Sequence, residues 1–404
     1  MRLSKSHWHR GQIAPVALFG VLITSAVLAV MFNTGQKVTE RSLVANAADA
    51  AAYSGAVWTA RHLNFMAYTN RAMIANHVAV GHFISYVSWV RYINDSLEAI
   101  DRITQWIPYV GQYVDLAQQI SQQVRDATEQ AAQITVPLID GWNTNLRAAQ
   151  VEAQASLGLG NLQELMAQTA RTYDADVRVN DDQALARMPE ELRALFETQM
   201  IAQMATVPTF VQRYVAGRDG NALQELVTSS LRSDSDLQRW TSGERGWREN
   251  LLAAQIRKRG STSSSQSASG ADWRAEDQLQ FRTRSLFGWR SWRRIGDDVS
   301  RASAREFDSN YSGVPAYYNI SGQPRDASLR IAVIATKSQS SVATADLLGM
   351  SSTNTPIAVA AVARVEFRRP AGPAFTALGE RRHEYANLFN PFWEAKLAPV
   401  TWSY

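Results

Sequence analysis

The segment Ile13–Phe32 reads IAPVALFGVLITSAVLAVMF, and it decides how the rest of the chain is interpreted. No charged residue occurs between Gly11 and Gln36. Twenty helical residues rise about 30 Å, which is the thickness of the hydrocarbon core of a bilayer. Pro15 falls in the first helical turn, where a missing N–H breaks no hydrogen bond. The segment therefore predicts a transmembrane helix over residues 13–33.

A cleaved signal peptide is the alternative interpretation of the same segment. The apolar region of a signal peptide runs about 7–15 residues and ends in small residues at the cleavage site. Here the apolar run is longer, and Val30-Met31-Phe32 lacks the small residues of a cleavage site. We therefore expect an anchor that stays in the mature protein.

The charges beside the segment predict its orientation. The residues before it include no acid and three bases, which are Arg2, Lys5 and Arg10, whereas the charges just after it nearly balance. The more basic side of a transmembrane helix stays in the cytoplasm. We expect a single-pass inner-membrane protein, with its N-terminus cytoplasmic and its C-terminal body periplasmic.

A second uncharged stretch, Ala72–Val90, contains polar side chains that are costly in lipid, among them Asn76, His77 and Ser85. We interpret it as a helix buried in the folded body, with a second membrane span as the alternative. No proline occurs between Pro15 and Pro108, so nothing forces a break in this region. We expect one helix from about Ile13 to about Ala60 and another to about Gln105, with a single continuous helix as the alternative. Further helices are predicted at about 161–173, 189–205 and 244–259, and from Asn221.

The segment after Pro108 has the clearest periodicity in the chain. Apolar residues recur at alternating spacings of three and four, which is the heptad pattern of helices that pack as coiled coils. Apolar positions are costly in water, so something must cover this seam. We favour the preceding Ala-rich helix as the cover, with a partner protein as the alternative. The seam consists of Val110, Tyr113, Ala117, Ile120, Val124, Ala127, Ala131 and Ile134.

The pattern changes near Gly260. Residues 260–270 read GSTSSSQSASG, which is typical of a flexible linker or exposed loop. Leu329–Thr336 and Ile357–Phe367 are rich in β-branched residues and predict strands, with a third at Gln280–Ser285. The predicted fold is mainly α with a smaller α+β part: the transmembrane helix continues into a long helical bundle, followed by one small antiparallel sheet. The expected parts are a cytoplasmic N-terminus (1–12), the membrane helix (13–33), a periplasmic helical region (34–259), a linker or loop (260–271) and a C-terminal α+β region (272–404).

No catalytic or metal-binding motif is recognisable in the sequence. Cysteine is absent, which excludes disulfides, thiolate metal sites and a Cys nucleophile. His77 and His82 are close in sequence, but a spacing of five places them about 140° apart on a helix. We therefore expect a non-enzymatic protein with no catalytic residue, cofactor or metal.

Residues 282–294 interleave arginines and tryptophans. Such a surface could hold phosphate groups or anionic lipid. We favour a simpler interpretation, a sheet edge where Arg stacks on Trp and discourages aggregation. The formal net charge of +4 is small for 404 residues, and no nucleic-acid partner is expected. The residues concerned are Arg282, Arg284, Trp289, Arg290, Trp292, Arg293 and Arg294.

Asn64, Asn70 and Asn76 recur every six residues within the long helix. Steps of six turn a helix by about 240°, so the three side chains do not share one face. Buried amides need hydrogen-bond partners. We interpret these residues as fixing the pairing of helices.

Two stretches of the chain resemble a known family. The anchor followed by Asn46-Ala47-Ala48-Asp49-Ala50-Ala51-Ala52 resembles the N-terminal region of Flp/Tad pilus-assembly proteins of the TadE/TadG-like kind. Asn64–Asn76, which includes Arg71, and Asn387–Leu397 look like the larger members with a periplasmic helical body. The resemblance covers about the first ninety residues and the last twenty.

The resemblance implies a membrane-anchored structural or assembly component of a Flp/Tad-type pilus or secretion apparatus. The implied partners are the inner membrane and other proteins of the apparatus, and a homo-oligomer is a further expectation. Besides the seam and the three asparagines, Asn46, Asp49 and Arg71 are candidate packing or interaction residues. A minor pilin-like subunit processed near Gly11 is an alternative, although the fifth residue after Gly11 is Val16 and not the Glu that such subunits use. A membrane-tethered periplasmic enzyme with an unrecognised site is the other alternative.

Overall fold

The computed structural model describes residues 13–104, 110–186, 190–191, 193–194, 210, 214, 245–250, 253–267, 270–285, 288–315, 328–342, 356–368 and 386–400. The helices in these ranges are α1 (Ile13–Thr104), α2 (Val110–Ser156), α3 (Leu159–Tyr173), α4 (Asp182–Leu185) and α5 (Ala304–Phe307), with a 3-10 turn at Gln339–Ser341. The strands are β1 (Arg178–Val179), β2 (Trp247–Asn250), β3 (Ala254–Ser267), β4 (Gly270–Ser285), β5 (Gly288–Trp289), β6 (Arg293–Ser303), β7 (Ser328–Lys337), β8 (Ile357–Phe367) and β9 (Trp393–Ala398).

Both sheets, α2 and α3 pack against the helix α1. It is one continuous helix of 92 residues, which corresponds to about 140 Å. Within its apolar first part, the hydroxyls of Thr24 and Thr34 each donate to the backbone carbonyl four residues earlier, both at 2.8 Å. These polar groups are therefore satisfied inside the helix itself. The division expected near Ala60 is absent, and α1 is the single continuous helix that was the alternative.

A first sheet packs on the middle of α1. Its strand order is β1-β7-β8-β9, and every pairing is antiparallel. The contact between helix and sheet is close: a Cβ added at Gly55 would lie 3.3 Å from Ile331 Cγ2 and 2.9 Å from the sulfur of Met166 on α3. Small residues on this face of α1 therefore let the sheet and α3 approach the helix backbone. The strands predicted at Leu329–Thr336 and Ile357–Phe367 lie in β7 and β8.

A second sheet packs further along α1, beyond the first. Its strand order is β2-β3-β4-β5, and β6 also pairs with β4. Here too the approach is close, because a Cβ at Gly81 would lie 2.7 Å from the ring of Trp273. The expectation of one small sheet is therefore wrong, since the described residues form two. The stretch Ala72–Val90 is packed inside the body, as its polar residues predicted.

The second sheet replaces two predicted elements. Gly260–Ser267 is not a linker but the second half of β3, paired residue by residue with Gly270–Asp277. The predicted helix at 244–259 is instead β2 and the first half of β3. The physical reason is the packing of alternate residues: Lys258, Gly260 and Thr262 are buried towards α1 while the residues between them are exposed.

The helix α2 returns along α1 in the antiparallel direction. Arg91 on α1 pairs with Glu129 at 2.8 Å, and His62 lies beside Ser156 at 2.8 Å. Pro137 lies inside α2 and does not end it. The helix predicted at 161–173 is α3. The helices predicted at 189–205 and from Asn221 lie largely or wholly outside the described residues.

Candidate functional site

The first twenty residues of α1 form an apolar cylinder, and no other described element packs around it. Large side chains point outwards on all sides, with exposed fractions of 73% for Val16, 68% for Phe19 and 66% for Met31. A helix that is apolar on every side needs lipid or protein around it. Among the described residues, α1 is the one helix that is long and apolar enough to cross a membrane.

The Ala-rich run that follows enters the folded body. Ala47, Ala48 and Ala51 are completely buried in the core shared with the first sheet and α3. Asn46 and Asp49 are exposed on the other side of the helix. The small residues of this run therefore serve close packing, and the two polar residues face outwards.

The asparagines Asn64 and Asn70 bind the C-terminal segment. The Asn64 side chain donates to the carbonyl of Trp393 at 2.9 Å and accepts from the N–H of the same residue at 3.0 Å. Asn70 donates to the carbonyl of Leu388 at 2.7 Å. The two stretches that resemble the larger Flp/Tad proteins, far apart in sequence, are therefore in direct contact.

Two of these asparagines also meet α2. Gln150 donates to the side-chain oxygen of Asn70 at 2.5 Å, and Asn76 donates to the side-chain oxygen of Asn143 at 2.8 Å. Asn70 and Asn76 thus contact a neighbouring helix, whereas the side chain of Asn64 is hydrogen-bonded to strand β9. Arg71 lies on the exposed side of α1.

The heptad seam on α2 faces solvent, so the expected cover by α1 is wrong. Ile134 is 70% exposed and Ile120 54% exposed. The residues of α2 that face α1 are a different set, in which Thr128 and Ala132 are buried. Of the remaining seam residues, Tyr113, Val124, Ala127 and Ala131 are exposed, Ala117 is half-buried, and the side chain of Val110 lies outside the described residues.

Buried charges join the second sheet to α1. Asp277 has no exposed surface and pairs with Arg245 at 2.8 Å and Lys258 at 2.7 Å, and both cations are nearly buried. The hydroxyl of Ser88 on α1 donates to the same carboxylate at 2.8 Å. Burial lowers the pKa of Lys258, and the paired carboxylate of Asp277 opposes that shift. Sequence reasoning missed this cluster, although Asp277 and Lys258 both occupy inward positions of strands with alternating burial.

A buried aromatic cluster lies at another point of the contact between α1 and the second sheet. His77 Nδ1 and the hydroxyl of Tyr311 are 2.8 Å apart, and the indole N–H of Trp273 donates to the His77 carbonyl at 2.8 Å. Burial lowers the pKa of His77 to about 3, so its ring is neutral at physiological pH. Among the described residues, no three histidine or carboxylate side chains are grouped as metal ligands. The absence of enzymatic activity stays a prediction.

The outer face of the second sheet carries the Arg/Trp residues. The guanidinium of Arg257 lies 4.0 Å from the centre of the Trp292 ring, and that of Arg282 lies 4.6 Å from the same ring and 5.0 Å from that of Trp289. Burial and the neighbouring arginines lower the pKa of Arg257. The stacking of Arg on Trp is as expected, but these residues extend over the face of the sheet and are not confined to an edge.

The first part of α1 matches a known protein family. Residues 11–58 match the Tad family, described as Flp pilus-assembly TadE/G-like. This match confirms the resemblance predicted from the anchor and the run Asn46–Ala52. It ends before Asn64, so it does not include the asparagines that bind the C-terminal segment. No curated protein and no solved structure matches the chain.

Proposed function

We propose that the protein is a non-enzymatic, membrane-anchored structural component of a Flp/Tad-type pilus or secretion apparatus. The observation that carries this proposal is the position of the family match on α1. Residues 11–58 include both the exposed apolar cylinder and the buried Ala run. The matched residues therefore join an exposed apolar helix segment directly to the core of the body, which supports the role of a structural tether.

The proposed setting is the bacterial inner membrane, with residues 1–12 in the cytoplasm and the body in the periplasm. The bases before the anchor support this orientation. A reporter that is active only in the periplasm, fused after Tyr404, is expected to be active. Activity of a cytoplasm-dependent reporter at the same point would overturn the orientation.

The proposed partners are other proteins of the apparatus and the membrane itself, with no nucleic acid. In the native host, we expect deletion of the gene to abolish Flp-type piliation or the corresponding secretion. Expression of the full chain should restore it, and so should a chain whose residues 13–33 are replaced by an unrelated transmembrane helix of equal length. A body released by a cleavable signal peptide should not restore it.

The outcomes of this experiment separate the alternatives. Normal piliation after deletion would overturn the proposal, and restoration by the released body would show that the anchor is dispensable. Mass spectrometry of the mature N-terminus provides an independent check. A chain that begins after Gly11 would favour a processed, pilin-like subunit over a permanent anchor.

A further inference from the structure

We propose that the outer stripe of α2 binds a second copy of this chain, with the two α2 helices parallel and in register. The outer stripe is the row of apolar residues on α2 that points away from α1. Six of its large members are exposed by 43–77%: Tyr113, Ile120, Val124, Ile134, Leu138 and Trp142. The parallel orientation rests on the proposed function, because it requires both copies to be anchored in one membrane.

The stripe is too large to be an ordinary exposed surface. From Tyr113 to Trp142 it rises over 29 residue steps, or about 44 Å of helix. Six half-exposed large side chains and the alanines between them offer on the order of 700 Å² of apolar surface. Monomeric proteins rarely leave a contiguous apolar patch of that size uncovered. One partner in a standard protein interface buries about 800 Å², so the stripe alone approaches what a stable dimer needs.

The membrane that holds the anchor cannot cover the stripe. Trp142 precedes Asn143, which is hydrogen-bonded to Asn76 of α1. Asn76 lies 43 residues beyond Asn33, at the end of the apolar segment, which corresponds to about 65 Å of helix. The rest of the stripe lies still further away, because α2 runs antiparallel to α1. Its cover must therefore be protein.

The charges around the stripe favour an identical helix as that protein. The residues that flank the stripe are mostly uncharged glutamines, including Gln123 and Gln130. Arg125 already has a nearby carboxylate, Asp126, at 3.2 Å. Two copies of α2 would therefore meet without repulsion between like charges. A strongly charged partner would find no complementary charge along the stripe.

The anchor determines the direction of the two helices. Two copies with their N-termini on the same side of one membrane are related by an axis along the membrane normal. Their α2 helices then run parallel, and each residue of the stripe faces its own counterpart. Ala127 and Ala131 provide small layers at which the two backbones can approach closely.

The absence of cysteine from the chain permits a direct test. Ala131→Cys introduces a single thiol on the stripe, and Gln133→Cys introduces a matched thiol at another exposed position of α2. Two residues turn a helix by about 200°, so the control thiol points away from the partner. Both full-length variants would be oxidised in native membranes and separated by non-reducing electrophoresis.

We expect Ala131→Cys to form a disulfide-linked dimer and Gln133→Cys to remain at background. Adding Ile120→Asp to Ala131→Cys should abolish the cross-link without changing thermal stability, because Ile120 is 54% exposed. Adding Leu397→Asp, at a position that is also 54% exposed but lies on β9, should leave the cross-link intact.

Three results would overturn the proposal. Equal cross-linking of both thiols would indicate random collision. No cross-link, with the Ala131→Cys thiol open to maleimide in dispersed monomers, would mean that in the membrane the stripe is bare or holds another protein. No cross-link, with that thiol blocked in dispersed monomers, would mean that another part of the chain covers the stripe. Cross-linking with normal piliation after gene deletion would instead retain self-association and reject the proposed function.

Discussion

The two sheets differ in how deeply they bury charge against the same helix. The first sheet meets α1 mainly through an apolar contact, in which Ala47, Ala48 and Ala51 lie against the sheet and α3, and one ion pair at 2.6 Å joins Lys337 of β7 to Glu40 of α1. The second sheet also has an apolar core, but its carboxylate Asp277 has no exposed surface and pairs with two nearly buried cations. The first contact therefore depends mainly on the size of side chains, and the second depends more strongly on whether a buried charge keeps its partners.

The largest expected effect is the loss of Asp277. The substitution Asp277→Ala leaves Arg245 and Lys258 buried without a counter-charge, which should lower the free energy of unfolding by about 3–5 kcal/mol. Chemical denaturation of the detergent-solubilised full chain would measure it. Glu276→Ala is the matched control, because Glu276 is half exposed and its pair with Arg301 should contribute less than about 1 kcal/mol. Similar losses for the two variants would mean that the buried charge of Asp277 does not hold the second sheet in particular.

The first sheet should respond most to added volume. Ala51→Leu places three additional carbons in a contact where Ala51 has no exposed surface, so we expect a loss of about 1–3 kcal/mol in the free energy of unfolding. Ala75→Leu, on the exposed side of the same helix, should change stability by no more than about 0.5 kcal/mol. Equal stability of the two variants would show that the first contact is loosely packed.

Acid should weaken the second attachment through His77. Its pKa is about 3 in the folded protein and about 6.5 when unfolded. Between these values only the unfolded chain binds the proton, so stability falls as the pH drops below about 6.5. The expected loss from this group is about 1.4 kcal/mol between pH 7.5 and pH 5.5. Denaturation across this range should show a smaller slope for His77→Gln, and an unchanged slope would contradict the assignment.

The smallest of these effects tests a polar contact of the first sheet. Asn64→Ala removes two hydrogen bonds to the backbone of Trp393, and we expect a loss of about 1 kcal/mol. Hydrogen exchange should increase in β9 and remain unchanged in β3. Arg71→Ala, at an exposed position nearby, serves as the control. Equal exchange in both strands would mean that Asn64 does not secure the first sheet in particular.

Long periodic segments were predictable from the sequence because their signals are local. The helical character of α1 and the strands at β7 and β8 follow from the absence of proline and from β-branched runs. The second sheet was missed because the Ser-rich stretch from Gly260 is typical of a linker. Its strand character depends on pairing with Trp273 and its neighbours. A tertiary contact therefore overrides the local composition.

The candidate interaction residues show the same limit. The spacing from Tyr113 to Ile134 identifies an apolar face of α2, but it does not say which neighbour that face meets. In the structure α1 packs against a different face of α2, which contains Thr128 and Ala132. In the same way, the resemblance selected Asn64 and the segment at Asn387–Leu397 without indicating that they touch. Contacts between distant residues depend on how the elements are arranged in space, which local patterns do not encode.

The continuity of α1 has a mechanical consequence. From Asn33 to Thr104 the helix extends for 71 residues, or about 107 Å, without a proline at which it could bend. Transmembrane helices tilt by about 20° on average. As a lever arm of that length, α1 would turn such a tilt into a sideways displacement of about 35 Å at its far end. The thickness of the bilayer, which influences the tilt, would thereby help to set where the two sheets meet their neighbours.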